Sequence, residues 1–69
     1  MTPLTKKVFD HIETAGSVSA REAMVDLGIT SASLARRICD LEEAGYEIVR
    51  ERRNHPVTNQ RYTRYSIAA

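Results

Sequence analysis

The chain has 69 residues, a net charge of +1 at pH 7 and a single cysteine. This length suits one domain with one small core, and a lone cysteine excludes an intramolecular disulfide and fits a reducing compartment. The apolar runs are too short for a membrane span or for the core of a signal peptide, so we expect a cytoplasmic protein.

The charge is distributed unevenly along the chain. Residues 1–49 contain five Lys/Arg against eight Asp/Glu, whereas residues 50–69 contain five arginines against Glu51 alone. Such a split in a short chain indicates a one-sided interaction surface. The alternative is that the arginines simply decorate exposed strands.

We expect a single domain over 1–69 that begins with a helix over about 3–15. Thr2 is a suitable N-cap, and Pro3 suits the first helical position, where its missing N–H costs nothing. Gly16 ends the apolar period and is the expected C-terminal stop.

A short extended stretch at Ser17 and Val18 precedes the second predicted helix, over about 20–27. Ser19 and Glu22 have the spacing of a capping box, in which each side chain satisfies a backbone donor of the other residue. The predicted inner face of this helix consists of Ala23, Met24 and Leu27.

Gly28 ends the second helix, and Thr30 is a natural N-cap for a third helix over about 31–44. The core-facing residues of the third helix recur at i, i+4 and i+7. They are Leu34, Ile38 and Leu41. Gly45 is expected to close this helix in the left-handed conformation.

After the third helix the pattern changes to that of two strands, over about 46–53 and 60–67. The polar segment NHPVTN between them is too long for a two-residue hairpin turn. The predicted fold class is therefore mainly α with a small β-hairpin (α+β): three helices and a C-terminal two-stranded hairpin. Two helices joined by a tight glycine-containing turn form a helix-turn-helix, and a hairpin after the second of them is called a wing.

The charges of the third helix run in an unusual order, because Arg36 and Arg37 precede Asp40, Glu42 and Glu43. The helix macrodipole favours acids first and bases last. In a helix-turn-helix the second helix of the motif enters the DNA major groove with its N-terminal residues at the base edges. A polyanion in front of the helix explains the observed order.

We therefore predict that five residues of the third helix meet the major groove. They are Ser31, Ala32, Ser33, Arg36 and Arg37. At about 100° per residue Arg36 points away from the core, and its guanidinium can bind guanine O6 and N7 together. Two alternatives stay open: Arg36 and Arg37 can form surface ion pairs with Asp40, and Arg37 can be structural because it lies at the margin of the core stripe.

Two further sets of DNA contacts are predicted. The phosphate contacts around the helix N-termini are Ser17, Ser19, Arg21 and Thr30. The wing contacts, to phosphates or the adjacent minor groove, are Arg52, Arg53, Asn59 and Arg61. The alternative for the hairpin is a solvated edge that is kept charged to prevent strand-to-strand aggregation.

Three segments carry a family resemblance. SVSAREAMVDLGIT leads into ARRICDLEEAGYEI, which contains Arg-Ile-x-Asp-Leu at 37–41 and Gly-Tyr at 45–46. RYTRYSI at 61–67 supplies the closing Arg-Tyr-x-x-Tyr-x-Ile. Over about residues 4–67 the chain thus resembles the small winged helix-turn-helix domains of bacteriophage and prophage genomes. The resemblance implies a winged-helix fold and DNA binding in phage gene regulation or recombination control.

The predicted function is sequence-specific binding of double-stranded DNA by a small transcriptional regulator or recombination accessory factor, in a bacterial or phage-infected cell. The alternative is a protein-binding module that inhibits or redirects a host protein, a polymerase subunit or a defence complex, since fold does not settle function. Its surface would be an exposed Tyr62 or the acidic residues Asp40, Glu42, Glu43 and Glu47. We expect a monomer or a DNA-assembled oligomer, because the extra helix of many winged-helix dimers has no counterpart in this sequence.

No group of residues predicts catalysis, a metal site or a cofactor. His11 and His55 lie in different predicted elements, the serines serve as helix caps or helix entries, and no glycine-rich phosphate loop is present. Cys39 lies on the outer flank of the third helix and is interpreted as a bystander thiol. The sequence therefore predicts a protein that is not an enzyme.

Overall fold

The computed structural model describes residues 2–68, so Met1 and Ala69 of the predicted domain lie outside the described residues. The helices are α1 (Pro3–Ala15), α2 (Ala20–Glu22, continued as a π-helical turn over Ala23–Leu27) and α3 (Ser31–Glu43). The strands are β1 (Val18–Ser19), β2 (Ile48–Asn54) and β3 (Arg61–Ile67). Within this range none of the helices is long and apolar enough to cross a membrane.

Each helix begins where the side chain of the preceding residue accepts a backbone hydrogen bond. The three capping residues are Thr2, Ser19 and Thr30, as predicted. At α2 the cap is reciprocal, because the Ser19 N–H donates to Glu22 Oε1 at 3.2 Å while Ser19 Oγ accepts from the Glu22 N–H. The capping box predicted from the sequence is thereby confirmed.

The second helix changes its hydrogen bonding halfway along. In its second half the turn widens, and the Gly28 N–H reaches both Ala23 O and Met24 O. A π turn takes more residues than an α turn, so side chains rotate away from the positions that an α-helix would give them. Ala23 is buried, but Met24 is 59% exposed, so the prediction that Met24 faces the core is wrong.

The core lies where the three helices meet one face of the sheet. Its buried apolar residues are Val8, Ile12, Val18, Ala23, Ile29, Leu34, Ile38 and Leu41. Three half-buried residues of the β2–β3 hairpin pack against them, namely Ile48, Tyr65 and Ile67. The side of the hairpin that carries these three therefore faces the helices.

The expected two-stranded hairpin is part of a three-stranded antiparallel sheet with the order β1-β3-β2. β1 pairs with β3 through Val18 opposite Tyr65 and Ser19 opposite Arg64. The short extended stretch predicted at Ser17 and Val18 is thus a third strand, shifted by one residue, and what the prediction of a two-stranded wing lacked is its pairing with β3. This pairing brings the beginning of α2 beside β3.

The end of α3 determines where β2 begins. Gly45 takes the predicted left-handed conformation with φ of 102°, and the Tyr46 N–H donates to Leu41 O at 3.1 Å. The Tyr46 ring centre lies 5.1 Å from that of Phe9 in α1. Tyr46 is thus attached to the helices, and β2 begins at Ile48 rather than at the expected position 46.

The loop between β2 and β3 contains no glycine and is held by its own hydrogen bonds. His55 Nδ1 accepts from the backbone N–H groups of Val57 and Thr58 at 3.1 and 3.3 Å, and the His55 N–H donates to Gln60 O at 2.8 Å. Asn59 adopts a left-handed φ of 60°, a conformation that asparagine tolerates better than most residues. The loop therefore has a defined shape at the tip of the hairpin.

Replacing Leu41 by alanine should lower the free energy of unfolding by about 2–5 kcal/mol, because a fully buried side chain is removed from a close-packed core. That loss is comparable to the roughly 5 kcal/mol available to a domain of this size. Urea denaturation followed by circular dichroism measures it.

The control is Val25→Ala at a position that is 74% exposed, where the change should stay within about 0.5 kcal/mol. Equal effects of the two substitutions would contradict the packing described above.

Candidate nucleic-acid interface

The outer face of α3 is formed by small and basic side chains. Because Leu34, Ile38 and Leu41 face the core, the opposite side of the helix turns Arg36 to solvent, where its side chain is 67% exposed. Three smaller residues precede it in the first turns of the helix. Ser31 and Ala32 are exposed, and Ser33 is half-buried. The first half of α3 therefore presents a surface of small side chains from which the guanidinium of Arg36 projects.

Asp40 forms an ion pair with both arginines of α3, as the alternative interpretation of the sequence allowed. Its Oδ1 lies 3.4 Å from Arg36 Nε, and its Oδ2 lies 3.2 Å from Arg37 Nε. Both contacts are ion pairs without an aligned hydrogen bond, and the buried Arg37 Nε has no hydrogen-bond partner within the described residues. Arg37 is only 19% exposed, so it contributes to structure, and its groove contact stays a prediction.

Arg64, which is absent from the predicted site, connects β3 to α2. Its Nη2 donates to Glu22 Oε1 at 2.6 Å, and its Nε donates to Ser17 Oγ at 2.9 Å. Ser19 is 5% exposed, and its Oγ lies 3.2 Å from the same Glu22 oxygen. Two hydroxyls predicted to bind phosphate thus already belong to a structural network. No local pattern reveals it, because Arg64 is 47 and 42 positions away from Ser17 and Glu22.

The remaining members of the predicted phosphate set lie at helix N-termini. The Thr30 hydroxyl accepts the Ser33 N–H at 3.1 Å as the cap of α3, and it remains at the surface. Arg21 is exposed in the first turn of α2. Of the four predicted phosphate contacts, Arg21 is the charged one, and its side chain makes no ion pair within residues 2–68.

A cleft of about 280 Å³ lies between the beginning of α2 and β3. β1 pairs with β3 only at Arg64 and Tyr65, so the first residues of β3 have no strand partner on this side. Arg21 and Glu22 line the cleft from α2, and Arg61, Tyr62 and Arg64 line it from β3. The cleft therefore joins one residue of the predicted phosphate set to one residue of the predicted wing set.

Strand alternation separates the arginines of the hairpin. Arg50 and Arg52 share its helix-facing side, because Arg50 Nη2 donates to Glu42 of α3 at 2.6 Å. Arg61 shares that side by the register of the two strands, whereas Arg53 lies on the other side. Arg52, Arg53 and Arg61, which are predicted as one set, therefore lie on two sides of the hairpin.

Ion pairing divides the basic residues further. Arg53 Nε and Nη2 donate to the two carboxylate oxygens of Glu51 at 2.9 and 3.0 Å, and this contact lowers the pKa of Glu51 and raises that of Arg53. Four cationic side chains have no acidic partner within residues 2–68: Lys7, Arg21, Arg52 and Arg61. These four carry the positive charge most available to a polyanion.

The Arg50–Glu42 pair attaches the hairpin to the acidic end of α3. Two hydrogen bonds of 3.3 and 2.6 Å join the groups, and they lower the pKa of Glu42 below its ordinary value. The Arg50 guanidinium also lies 5.9 Å from the centre of the Tyr65 ring. Arg50 therefore positions the hairpin and neutralises part of the negative charge at the end of α3.

The two histidines and the cysteine lie in different parts of the fold. His11 Nε2 is 3.1 Å from Asp26, His55 belongs to the hairpin loop, and Cys39 is exposed on α3. The described residues contain no group of three or more His, Cys, Asp or Glu side chains placed to hold a metal ion.

A helix pair, α2 and α3, with a tight turn between them and a β-hairpin behind the second helix, defines a winged helix-turn-helix protein. The chain belongs to the winged helix-turn-helix domain family, whose model matches residues 3–69. Comparison with curated proteins and with solved structures found no match. Membership confirms the predicted winged helix-turn-helix class, and DNA binding is the function that this class of fold indicates.

Replacing Arg50 by glutamine removes the hydrogen bonds that hold the pKa of Glu42 below its ordinary value of 4.5. We expect the pKa of Glu42 to rise towards that value, as measured by NMR titration of its side-chain carboxyl carbon. Because the folded-state pKa is the lower one, the wild-type pair stabilises the fold above the ordinary carboxyl range. This contribution disappears as the pH falls through the lowered pKa.

The matched control is Arg52→Gln, which removes the same charge from the same side of β2 without touching Glu42. It should leave the titration of Glu42 essentially unchanged. A wild-type titration curve for Glu42 in Arg50→Gln would show that the pair does not form in solution.

Proposed function

We propose that the protein binds double-stranded DNA in a sequence-specific manner. The observation that carries this proposal is the convergence of Arg21 and Arg61, both without an acidic partner in residues 2–68, on one cleft beside the helix-turn-helix. Like charges on one cleft repel each other, and a bound anion lowers that repulsion; the Glu22 carboxylate on the same cleft is already bonded to Arg64. A DNA phosphate supplies that anion, and Arg–phosphate contacts fix the register of a protein on the duplex.

In this proposal α3 reads the sequence from the major groove. Ser31 and Ala32 are small enough for the helix to approach the bases closely, and Ser33 can bond a base or a phosphate. Arg36 is the one exposed guanidinium of the helix, and its two terminal nitrogens can bind guanine O6 and N7 together. The proposal therefore assigns specificity chiefly to Arg36.

The hairpin is proposed to act as the wing that contacts the DNA backbone. Arg52 and Arg61 lie on its helix-facing side and have no acidic partner in the described range. Asn59 adds an amide at the tip. Arg53 contributes less to DNA binding, because it lies on the other side and its guanidinium is bound by Glu51.

The resemblance to phage and prophage domains supports a role as a small transcriptional regulator or recombination accessory factor in the cytoplasm. In this role the protein is not an enzyme, and it acts as a monomer or as an oligomer assembled on DNA. The protein-binding alternative is less well supported, because two residues of its acidic surface, Asp40 and Glu42, are bound by arginines.

Fluorescence anisotropy with a labelled random-sequence duplex tests the proposal directly. Between about 50 and 200 mM salt we expect the affinity to fall by orders of magnitude, because several phosphate contacts release counterions. Selection from a random library should then return a preferred site. Absence of binding even at about 50 mM salt would refute the proposal.

Replacing Arg61 by glutamine should weaken binding to all duplexes alike and reduce the salt slope by about one, because one phosphate contact is lost. Arg53→Gln removes the same charge from the opposite side of the hairpin and should reduce the slope by less, since Glu51 already neutralises Arg53. Equal changes in the two variants would contradict the division of the wing into two sides.

Replacing Arg36 by alanine should cost about 1–3 kcal/mol on the preferred site and relax the preference at one base pair. Arg36→Lys is the matched control, because it keeps the charge and loses the planar fork that binds guanine. It should lose the preference while keeping the salt slope. If Arg36→Ala bound every site as the wild type does, the recognition surface would lie elsewhere.

A further inference from the structure

We infer that Asp40 is a positioning residue that orients Arg36 for base recognition. The inference rests on the proposed function, because it assigns to Asp40 a share of the specificity that the proposal gives to Arg36. Asp40 itself need not touch DNA. It acts through the guanidinium that it holds.

The Asp40 carboxylate is attached on three sides. Its Oδ1 lies 3.4 Å from Arg36 Nε, and its Oδ2 lies 3.2 Å from Arg37 Nε. The Thr5 hydroxyl of α1 donates to the same Oδ2 at 3.1 Å. The carboxylate is thus shared between two helices and three side chains.

The support behind Asp40 is buried. Thr5 is 1% exposed, and its hydroxyl lies 2.8 Å from that of the α1 cap, Thr2. The Asp40 side chain is 21% exposed and that of Arg37 is 19% exposed, so both are largely enclosed by their neighbours. Arg36, by contrast, is 67% exposed and is held only by this contact among the residues that the structure describes.

The contact engages one end of the Arg36 guanidinium. The ion pair is closest at Nε, 3.4 Å from Asp40 Oδ1, and the two terminal nitrogens make no hydrogen bond within residues 2–68, so their edge stays free for guanine O6 and N7. A guanidinium already held in the binding orientation loses less conformational entropy on contact. An isolated exposed pair at i, i+4 gives only about 0.3–0.5 kcal/mol, so the buried support from Thr5 is what distinguishes this carboxylate.

A carboxylate on the DNA-facing helix also repels phosphate. If the Asp40 carboxylate acts only through its charge, its removal should strengthen binding to every DNA sequence. If the carboxylate positions Arg36, its removal should weaken discrimination between sequences. The two roles predict opposite changes on the preferred site. This opposition makes the inference testable with one substitution and a charge-matched control.

The test compares Asp40→Asn with Glu43→Gln, which removes one negative charge from the same helix at a residue without an ion pair in residues 2–68. Affinities are measured for the selected site and for the same duplex with the Arg36-dependent base pair changed. We expect Asp40→Asn to keep or raise the affinity for the changed duplex. Discrimination, the ratio of the affinities for the selected and the changed duplex, should fall about threefold to tenfold, which is less than the loss expected when the Arg36–base contact itself is removed. Glu43→Gln should leave discrimination unchanged.

Two further variants separate positioning from a structural defect. Thr5→Val keeps the shape of the Thr5 side chain and leaves the charge of Asp40 in place, but it removes the buried hydroxyl that donates to Asp40. It should reduce discrimination by a smaller factor without altering the affinity for the changed duplex. In an Arg36→Ala background, Asp40→Asn should cause no further loss of discrimination, because the group that it positions is gone.

A measurement without DNA completes the test. The Arg36 Nε–H group should be ordered in the wild-type protein and mobile in Asp40→Asn, as measured by 15N relaxation of the side chain. Equal mobility in the two proteins overturns the inference, as does a loss of both affinities in Asp40→Asn together with a lower Tm. A wild-type protein that binds no duplex refutes the proposed function instead, and the relaxation data then still decide whether Asp40 orders Arg36.

Discussion

Burial of Leu34, Ile38 and Leu41 fixes the rotation of α3 about its axis, and the rest of the interface depends on that rotation. With this stripe in the core, Arg36 faces solvent and Arg37 falls at the margin against α1. Because side chains on a helix recur about every 100°, placing these three in the core also fixes the direction in which every other side chain leaves the helix. The apolar residues of α3 thus select which polar residues are available to a ligand.

Interactions between the ends of elements then place the remaining basic groups. Arg64 attaches β3 to α2 through Glu22, and Arg50 attaches β2 to α3 through Glu42. Each of these pairs joins two elements of the fold, and its arginine is then less available to bind DNA phosphates. The arginines left without acidic partners in residues 2–68 are therefore the ones that perform no such structural task, and Arg21 and Arg61 among them meet at one cleft.

Local signals in the sequence predicted the features that depend on neighbouring residues. The caps at Thr2, Ser19 and Thr30, and the left-handed Gly45, follow from side chains and backbone within one turn of the helix ends. The pairing of β1 with β3, the π turn of α2 and the contacts of Arg64 depend on residues far along the chain or on packing, so no short pattern shows them. In the candidate site, the ion pairs of Asp40 with Arg36 and Arg37 could be predicted from their i, i+4 and i, i+3 spacing on a helix. The division of the wing into two sides could not be predicted, because it depends on the register between β2 and β3.

Chemical-shift mapping of the 15N-labelled protein with a DNA duplex at low salt tests the central claim most directly, because it reports every contacted backbone amide at once. The account predicts that the largest changes fall in the first half of α3, around Arg21, and along the wing near Arg52 and Arg61. Changes confined to the exposed Met24 and to the side of the wing that carries Arg53, with the first half of α3 unaffected, would contradict it.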